Sequence, residues 1–210
     1  MNELKIGILG IQGDIEENIN STKESLNNLN LKGTVSSVRN SEAIKNLDGL
    51  ILPGGESTVI GNLISLNGQI FQTIKKRISN GMPVLGTCAG LIMLSKKVYD
   101  KFIGQTKQQL LDVLDIVVER NAFGRQHNSF ESNLKIPILG PSPFKGVFIR
   151  SPIITSVQDN VDVICSFDDK IVAVIQDNII ATSFHPELSS DSRMHELFIK
   201  KVVDFKKYYN

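Results

Sequence analysis

Gly49-Leu50-Ile51-Leu52-Pro53-Gly54-Gly55-Glu56-Ser57-Thr58 is the stretch on which the fold turns. Gly49–Leu52 is an unbroken apolar run, the pattern of a strand covered on both faces. It stops at Pro53-Gly54-Gly55, and Ser57-Thr58 marks the start of a helix. A short apolar strand, a glycine turn and a helix form the repeating unit of a parallel α/β sheet.

The same unit recurs on both sides of that stretch. Lys5–Ile11 (KIGILGI) reads as a strand ending at Gln12-Gly13. Asp14 is then placed as the N-cap of a helix with Ile15, Ile19, Leu26 and Leu29 along one side. Gly33–Val38 is a second strand. A helix over Gln69–Ser79 stops at Asn80-Gly81, and Pro83–Gly86 is a further strand. It is followed by Thr87-Cys88-Ala89-Gly90 and a helix over Leu91–Lys97. Beyond this point strands dominate: Ile116–Glu119, Gly146–Ile149, Val161–Phe167, Ile171–Gln176 and Ile179–Ser183. They predict an antiparallel extension of the sheet. Ile136–Phe144, with three prolines, is a surface loop, and Asp191–Tyr208 an amphipathic helix capped by Asp191 or Ser192. No repeat, linker or low-complexity tract divides the chain. The expectation is one three-layer α/β domain over residues 1–210, a mostly parallel central sheet with helices on both faces.

Composition narrows the functional classes. With 210 residues, Lys+Arg 23 against Asp+Glu 22 and a net charge of +1, no broad basic field exists to hold nucleic acid through its phosphates. No apolar run approaches the ~18 residues of a membrane span, and the start, Met-Asn-Glu-Leu-Lys-Ile-Gly, lacks signal-peptide architecture. Two cysteines, Cys88 and Cys165, are too few for a disulfide framework, so a reducing, cytoplasmic setting is expected. Gly7, Gly10 and Gly13 do not have dinucleotide-loop spacing, and neither a phosphate loop nor metal-ligand spacing of Cys and His occurs. No cofactor and no metal are therefore expected. Cys165, inside a strand pattern, reads as core; His127 and His195, on polar segments, read as solvated.

Three short motifs remain. Gly86-Thr87-Cys88-Ala89-Gly90 places a nucleophile between glycines at a strand-to-helix junction, where a strained turn lifts one side chain over the sheet. At such a helix start the free N–H groups favour a thiolate. A cysteine simply packed beneath the helix is the competing reading. In His185-Pro186-Glu187, proline biases His185 towards extended backbone. Residues two apart then share a side, so Glu187 can orient one imidazole nitrogen while the other serves a thiol. A surface ion pair is the competing reading here. Gly54-Gly55 lets the backbone approach a ligand and aim N–H groups at an oxyanion, or is an ordinary turn capped by Ser57.

With these motifs the sequence resembles the class I, triad-type glutamine amidotransferases, a flavodoxin-like fold family. It is similar, more narrowly, to the glutaminase subunits of pyridoxal 5′-phosphate synthases. The similarity runs through Gly10–Gly13, Leu50–Thr58, Gly86–Ile92, Val118–Gln126, Val147–Pro152 and Ser183–Leu188. The blocks at 120–126 and 148–152 carry the narrower match, with Ser151 standing where alanine is expected. The resemblance implies Cys88 as nucleophile, His185 as base and Glu187 as its orienter. It implies L-glutamine held by Gly55, Glu56, Ser57, Arg120, Ile149 and Arg150, with either arginine on the α-carboxylate. Gly54, Gly55, Ala89 and Gln12 are oxyanion candidates. Glutamine would be hydrolysed to glutamate through a cysteine thioester, and the ammonia passed to a barrel-fold synthase subunit in a hetero-oligomer making vitamin B6. The resemblance further implies an oxyanion hole completed on docking. An amidotransferase serving another synthase and a non-catalytic thiol sensor are the alternatives; the intact His185 and Glu187 speak against the sensor.

Overall fold

A computed structural model describes residues 3–66, 68–100, 104–105, 108–120 and 129–209. His127 and the Asn121–Gln126 part of the resemblance lie outside the described residues. The elements run β1 (Leu4–Leu9), α1 (Ile15–Asn28), β2 (Gly33–Val38), α2 (Ser41–Lys45), β3 (Gly49–Leu52), α3 (Ser57–Leu66), α4 (Gly68–Ser79), β4 (Val84–Thr87) and α5 (Ala89–Leu94). There follow β5 (Ser95–Asp100), β6 (Gly104–Gln105), β7 (Leu114–Arg120), β8 (Ser129–Leu134), β9 (Phe144–Ile149), β10 (Ile153–Val157), β11 (Asp162–Phe167), β12 (Lys170–Gln176), β13 (Ile179–Thr182) and α6 (Arg193–Tyr209).

The main sheet is ordered β2-β1-β3-β4-β13-β12-β10-β7-β5-β6, with β11 paired to β12. From β2 to β13 every pairing is parallel; β13–β12, β12–β10 and β10–β7 are antiparallel. This is the parallel half with an antiparallel extension that the sequence predicts. β3 shows why its run is wholly apolar. Leu50 and Leu52 join a cluster with Ile60, Ile64, Ile70 and Ile74 of α3 and α4, while Ile51 joins Ile19, Leu26, Phe198 and Val202 of α1 and α6. Both faces of the strand are covered, so no position is free to be polar. β8 and β9 form a separate hairpin sheet over the α1/α6 face, with Phe130 stacked on Phe148 at 4.6 Å between ring centroids. Among the described residues no helix is long and apolar enough to cross a membrane.

Three local expectations are corrected. The helix expected over Leu91–Lys97 ends at Leu94, because Ser95, Lys97 and Val98 pair with β7 instead. Asp14 precedes α1 but makes no side-chain cap, its carboxylate being engaged elsewhere. His195 is fully buried rather than solvated, its Nε2 lying 3.3 Å from Asn18 Oδ1 across the α1–α6 contact. Burial pulls its basicity down to about 4. Cys165 is buried as expected, and desolvation pushes its thiol up to about 11.

Candidate active site

Strand order brings the motifs together. β1, β3, β4 and β13 are consecutive, parallel neighbours, so the segments leaving their carboxyl ends lie side by side. Those segments are Gln12–Asp14, Pro53–Ser57, Cys88 and His185–Glu187.

Cys88 joins β4 to α5 with φ +48° and ψ −98°, a left-handed backbone that a non-glycine residue adopts only under constraint. The constraint is visible. Cys88 N–H donates to Thr182 O of β13 at 2.8 Å, and Cys88 O accepts from Ile92 N–H. Gly90 is obligatory beneath it, since a Cβ there would lie 2.0 Å from Leu52 O. Cys88 is 7 % exposed, and its Sγ lies 3.9 Å from Ile149 O.

His185 is buried at the end of the β13 segment, its N–H donating to Val147 O of β9 at 2.8 Å. Its Nδ1 lies 3.0 Å from Glu187 Oε1. The contact is the expected one but the backbone is not: Pro186–Leu188 is a 3-10 turn, so Glu187 reaches the ring by curling back rather than by extended alternation. Thr87 Oγ1 donates to the same Oε1 at 3.4 Å, and Glu187 Oε2 is buried without a partner. A second carboxylate, which sequence reasoning missed, is equally close: Asp14 Oδ2 sits 3.0 Å from Nδ1. Burial alone would lower His185. Interactions with Asp14, Cys88 and Glu187 outweigh it and raise the ring well above its ordinary value. Nε2 is buried without a hydrogen-bond partner, and the Cys88 sulfur acts on the ring as a neighbouring charge. Asp14, His185 and Glu187 have the composition of a metal site, with donor atoms within 4.8 Å of one another, but their mutual hydrogen bonds already use those donors.

The surrounding pocket, of about 410 Å³, is lined by Gln12, Gly55, Glu56, Ser57, Cys88, Arg120, Ile149, Arg150 and His185, together with Gly13, Asp14, Ile92 and Pro152. Gly54 and Ala89 are buried behind this lining. Glu56 spans the start of α3, accepting from Thr58 N–H and Val59 N–H. Burial acts against its charge, yet these bonds and Arg120 hold its carboxyl below the ordinary range. Arg120 pairs with Glu56 at 3.2 Å and donates to Thr58 and to Gln108, whose Oε1 also accepts from Ser57. Gln108 is thus a site residue without a sequence signal. Gln12 Oε1 accepts from Glu56 N–H at 3.1 Å. Ser151, the departure from alanine, accepts the Ile149 N–H at 3.1 Å and steadies the strand end that faces Cys88.

A soft nucleophile on a strained turn, a buried base and a polar pocket suit acyl transfer from a small polar substrate. Relatives match this chain over nearly its whole length. A subunit named pyridoxal 5′-phosphate synthase subunit PdxT from Nitrosopumilus maritimus is 48% identical over 202 residues, covering 96% of this chain and 98% of its own. The PdxT of Pyrococcus furiosus is 47% identical over 95% of this chain and 100% of its own. A crystal structure of a glutamine amidotransferase superposes with a TM-score of 0.81 at 41% identity, covering 94% of this chain and 98% of that one. The family model for the SNO glutamine amidotransferases matches residues 8–204, from within β1 almost to the end of α6. The elbow and the base segment both fall inside that span, and the chain belongs to the SNO glutamine amidotransferase family.

Proposed function

We propose that this protein hydrolyses L-glutamine to glutamate and ammonia, and hands the ammonia to the synthase subunit of a pyridoxal 5′-phosphate synthase. The observation that carries the reading is Cys88, held at a left-handed turn beside a buried imidazole whose other nitrogen faces carboxylates. Relatives at 47–48% identity bearing the name of that synthase's subunit support the wider assignment.

The raised His185 favours an imidazolium beside the Cys88 sulfur. The Cys88 thiolate attacks the side-chain amide carbon of glutamine, and backbone N–H groups near Gly55 and Ala89 receive the charge that develops on oxygen. His185 gives its Nε2 proton to the departing nitrogen, which leaves as ammonia. The neutral ring then takes a proton from water as that water attacks the thioester, releasing glutamate and restoring the thiolate–imidazolium pair. Glu56, Ser57, Arg120, Ile149 and Arg150 line the space for the amino-acid end of the substrate. A guanidinium suits its carboxylate and Glu56 its ammonium group. Ammonia released into water near neutral pH is protonated and no longer nucleophilic, so transfer across an interface to a barrel-fold subunit preserves its reactivity. Docking completes the oxyanion site, a population shift that spares glutamine when no acceptor is present.

The test is glutamate release from glutamine by the native chain and by Cys88→Ala, each with and without a synthase subunit of the relatives' type. Turnover should rise with the partner and vanish in the variant. Equal turnover by Cys88→Ala rejects the nucleophile, and indifference to the partner rejects the coupling.

A further inference from the structure

His185 Nδ1 carries one hydrogen, yet two carboxylate oxygens, Asp14 Oδ2 and Glu187 Oε1, each stand 3.0 Å from it. The two acids differ in surroundings. The Glu187 carboxylate is wholly buried and one of its oxygens has no partner, whereas Asp14 keeps 32% of its side chain exposed. A charge is far less costly on the group that water still reaches. Asp14 is also fixed from three sides. Its N–H donates to Gly54 O at 3.2 Å, and its carbonyl accepts from Asn18 Nδ2 at 2.7 Å. Its carboxylate lies so near Gly54 that a Cβ on that glycine would meet both Asp14 Oδ2 and the His185 ring within 2.7 Å.

We propose that Asp14 is a positioning residue for His185, the ionised carboxylate that holds the imidazolium, while Glu187 is the buried member that shares a proton with it. The assignment rests on the glutaminase reading for its catalytic meaning, but not for its electrostatic content. It divides between two side chains the orienting role that the sequence assigns to Glu187 alone. Because the same residue holds the carbonyl of Gly54, it also ties the base to the loop that supplies the oxyanion N–H groups. The opposite tendencies of the two acids agree with it: the bond to His185 lowers Asp14, and burial raises Glu187.

The groups facing His185 are Asp14 from the loop after β1, Cys88 from the turn after β4 and Glu187 from its own turn. Glu56, Arg120 and Arg150 line the pocket beyond them. Removing the Asp14 charge therefore lowers the basicity of the imidazole. With only three histidines in the chain, ¹⁵N-histidine labelling resolves His185, assigned by its loss in His185→Asn. In Asp14→Asn the imidazolium should persist to a pH lower by about one to three units than in the native chain, the range expected for loss of a contacting opposite charge. Glu187→Gln should lower it less. With the partner present, kcat for glutamine should fall roughly 10- to 100-fold in Asp14→Asn, within the span of acid–base contributions, with KM little changed. The alkaline limb of kcat/KM should move down in pH with the imidazolium. Asp14→Ser, keeping a small polar residue before α1, guards against misfolding. A His185 titration left in its native place by both Asp14 variants, or lowered only by Glu187→Gln, overturns the proposal. A native chain that turns over no glutamine rejects the glutaminase reading and leaves the titration to decide the role of Asp14.

Discussion

At the scale of single residues, Gly54 shows how closely the site is built. It does not have a positive φ, so alanine is conformationally allowed there. The obstacle is space, because an added Cβ would lie 2.3 Å from His185 Cε1 and 2.7 Å from Nδ1. The ring must shift by a fraction of an ångström to an ångström, and displacement on that scale costs on the order of 100-fold in turnover. Gly54→Ala should therefore lose about 100-fold in kcat while keeping a near-native melting temperature; a fully active variant would show that the ring has room to move. Sequence reasoning reached this site through residues whose types announce chemistry. Cys88 between two glycines, His185 and Glu187 are legible because few structural roles demand that set. Asp14 and Gln108 are not. An aspartate before a helix has a ready explanation as a cap, and the Gln108 contacts to Ser57 and Arg120 depend on a tertiary approach with no local pattern.

Elements were legible where both faces of a strand are covered. β1, β3, β4, β12 and β13 are Ile/Val/Leu-rich because helices or other sheet layers pack on each side, and that composition is visible in one dimension. β8 and β10 escape notice because they lie away from the parallel core and carry polar residues at alternate or consecutive positions. α2 has five residues, too few for a period to emerge. The early stop of α5 is a tertiary effect: nothing in Ser95-Lys96-Lys97 forbids helix, but β7 offers a ladder. α6 is fastened near its end by Lys206, whose Nζ lies 2.6 Å from Asp48 Oδ2 and 2.8 Å from Glu3 O, with both charged side chains 9% exposed. Asp48 also accepts the Lys5 N–H, so this ion pair joins α6 to the entrances of β1 and β3. Lys206→Met strands a nearly buried carboxylate and should cost about 3 kcal/mol in urea unfolding. Adding Asp48→Asn should recover part of the loss. A single-variant cost below about 1 kcal/mol would mean that water reaches the pair and it behaves as a surface contact.

For the molecule as a whole, two of the three histidines are displaced in opposite directions, and each leaves its own mark on stability against pH. His195, in the α1–α6 contact, is lowered to about 4 from 6.5 by burial. Between those values the unfolded chain takes up a proton that the folded chain refuses, so stability falls as pH falls. The loss is about 2 kcal/mol between pH 7 and pH 5 by linkage. His185 is raised from 6.5 because its interactions with Asp14, Cys88 and Glu187 outweigh desolvation. There the folded chain retains a proton that the unfolded chain releases, so its contribution is complete below 6.5 and is lost as pH rises towards the folded value. The decline between pH 7 and pH 5 thus draws on helix packing on one face of the sheet, and part of the alkaline decline on the His185 cluster at its carboxyl edge. His195→Gln, which keeps a donor for Asn18, should flatten the decline in melting temperature from pH 7 to pH 5 and leave glutamine turnover near native at neutral pH. His185→Asn should leave that acid decline in place, weaken the alkaline one and abolish turnover. If His195→Gln declined as steeply as the native chain, its imidazole would have to take up its proton in the folded state at close to the ordinary value, with the α1–α6 seam opening to water as it does so.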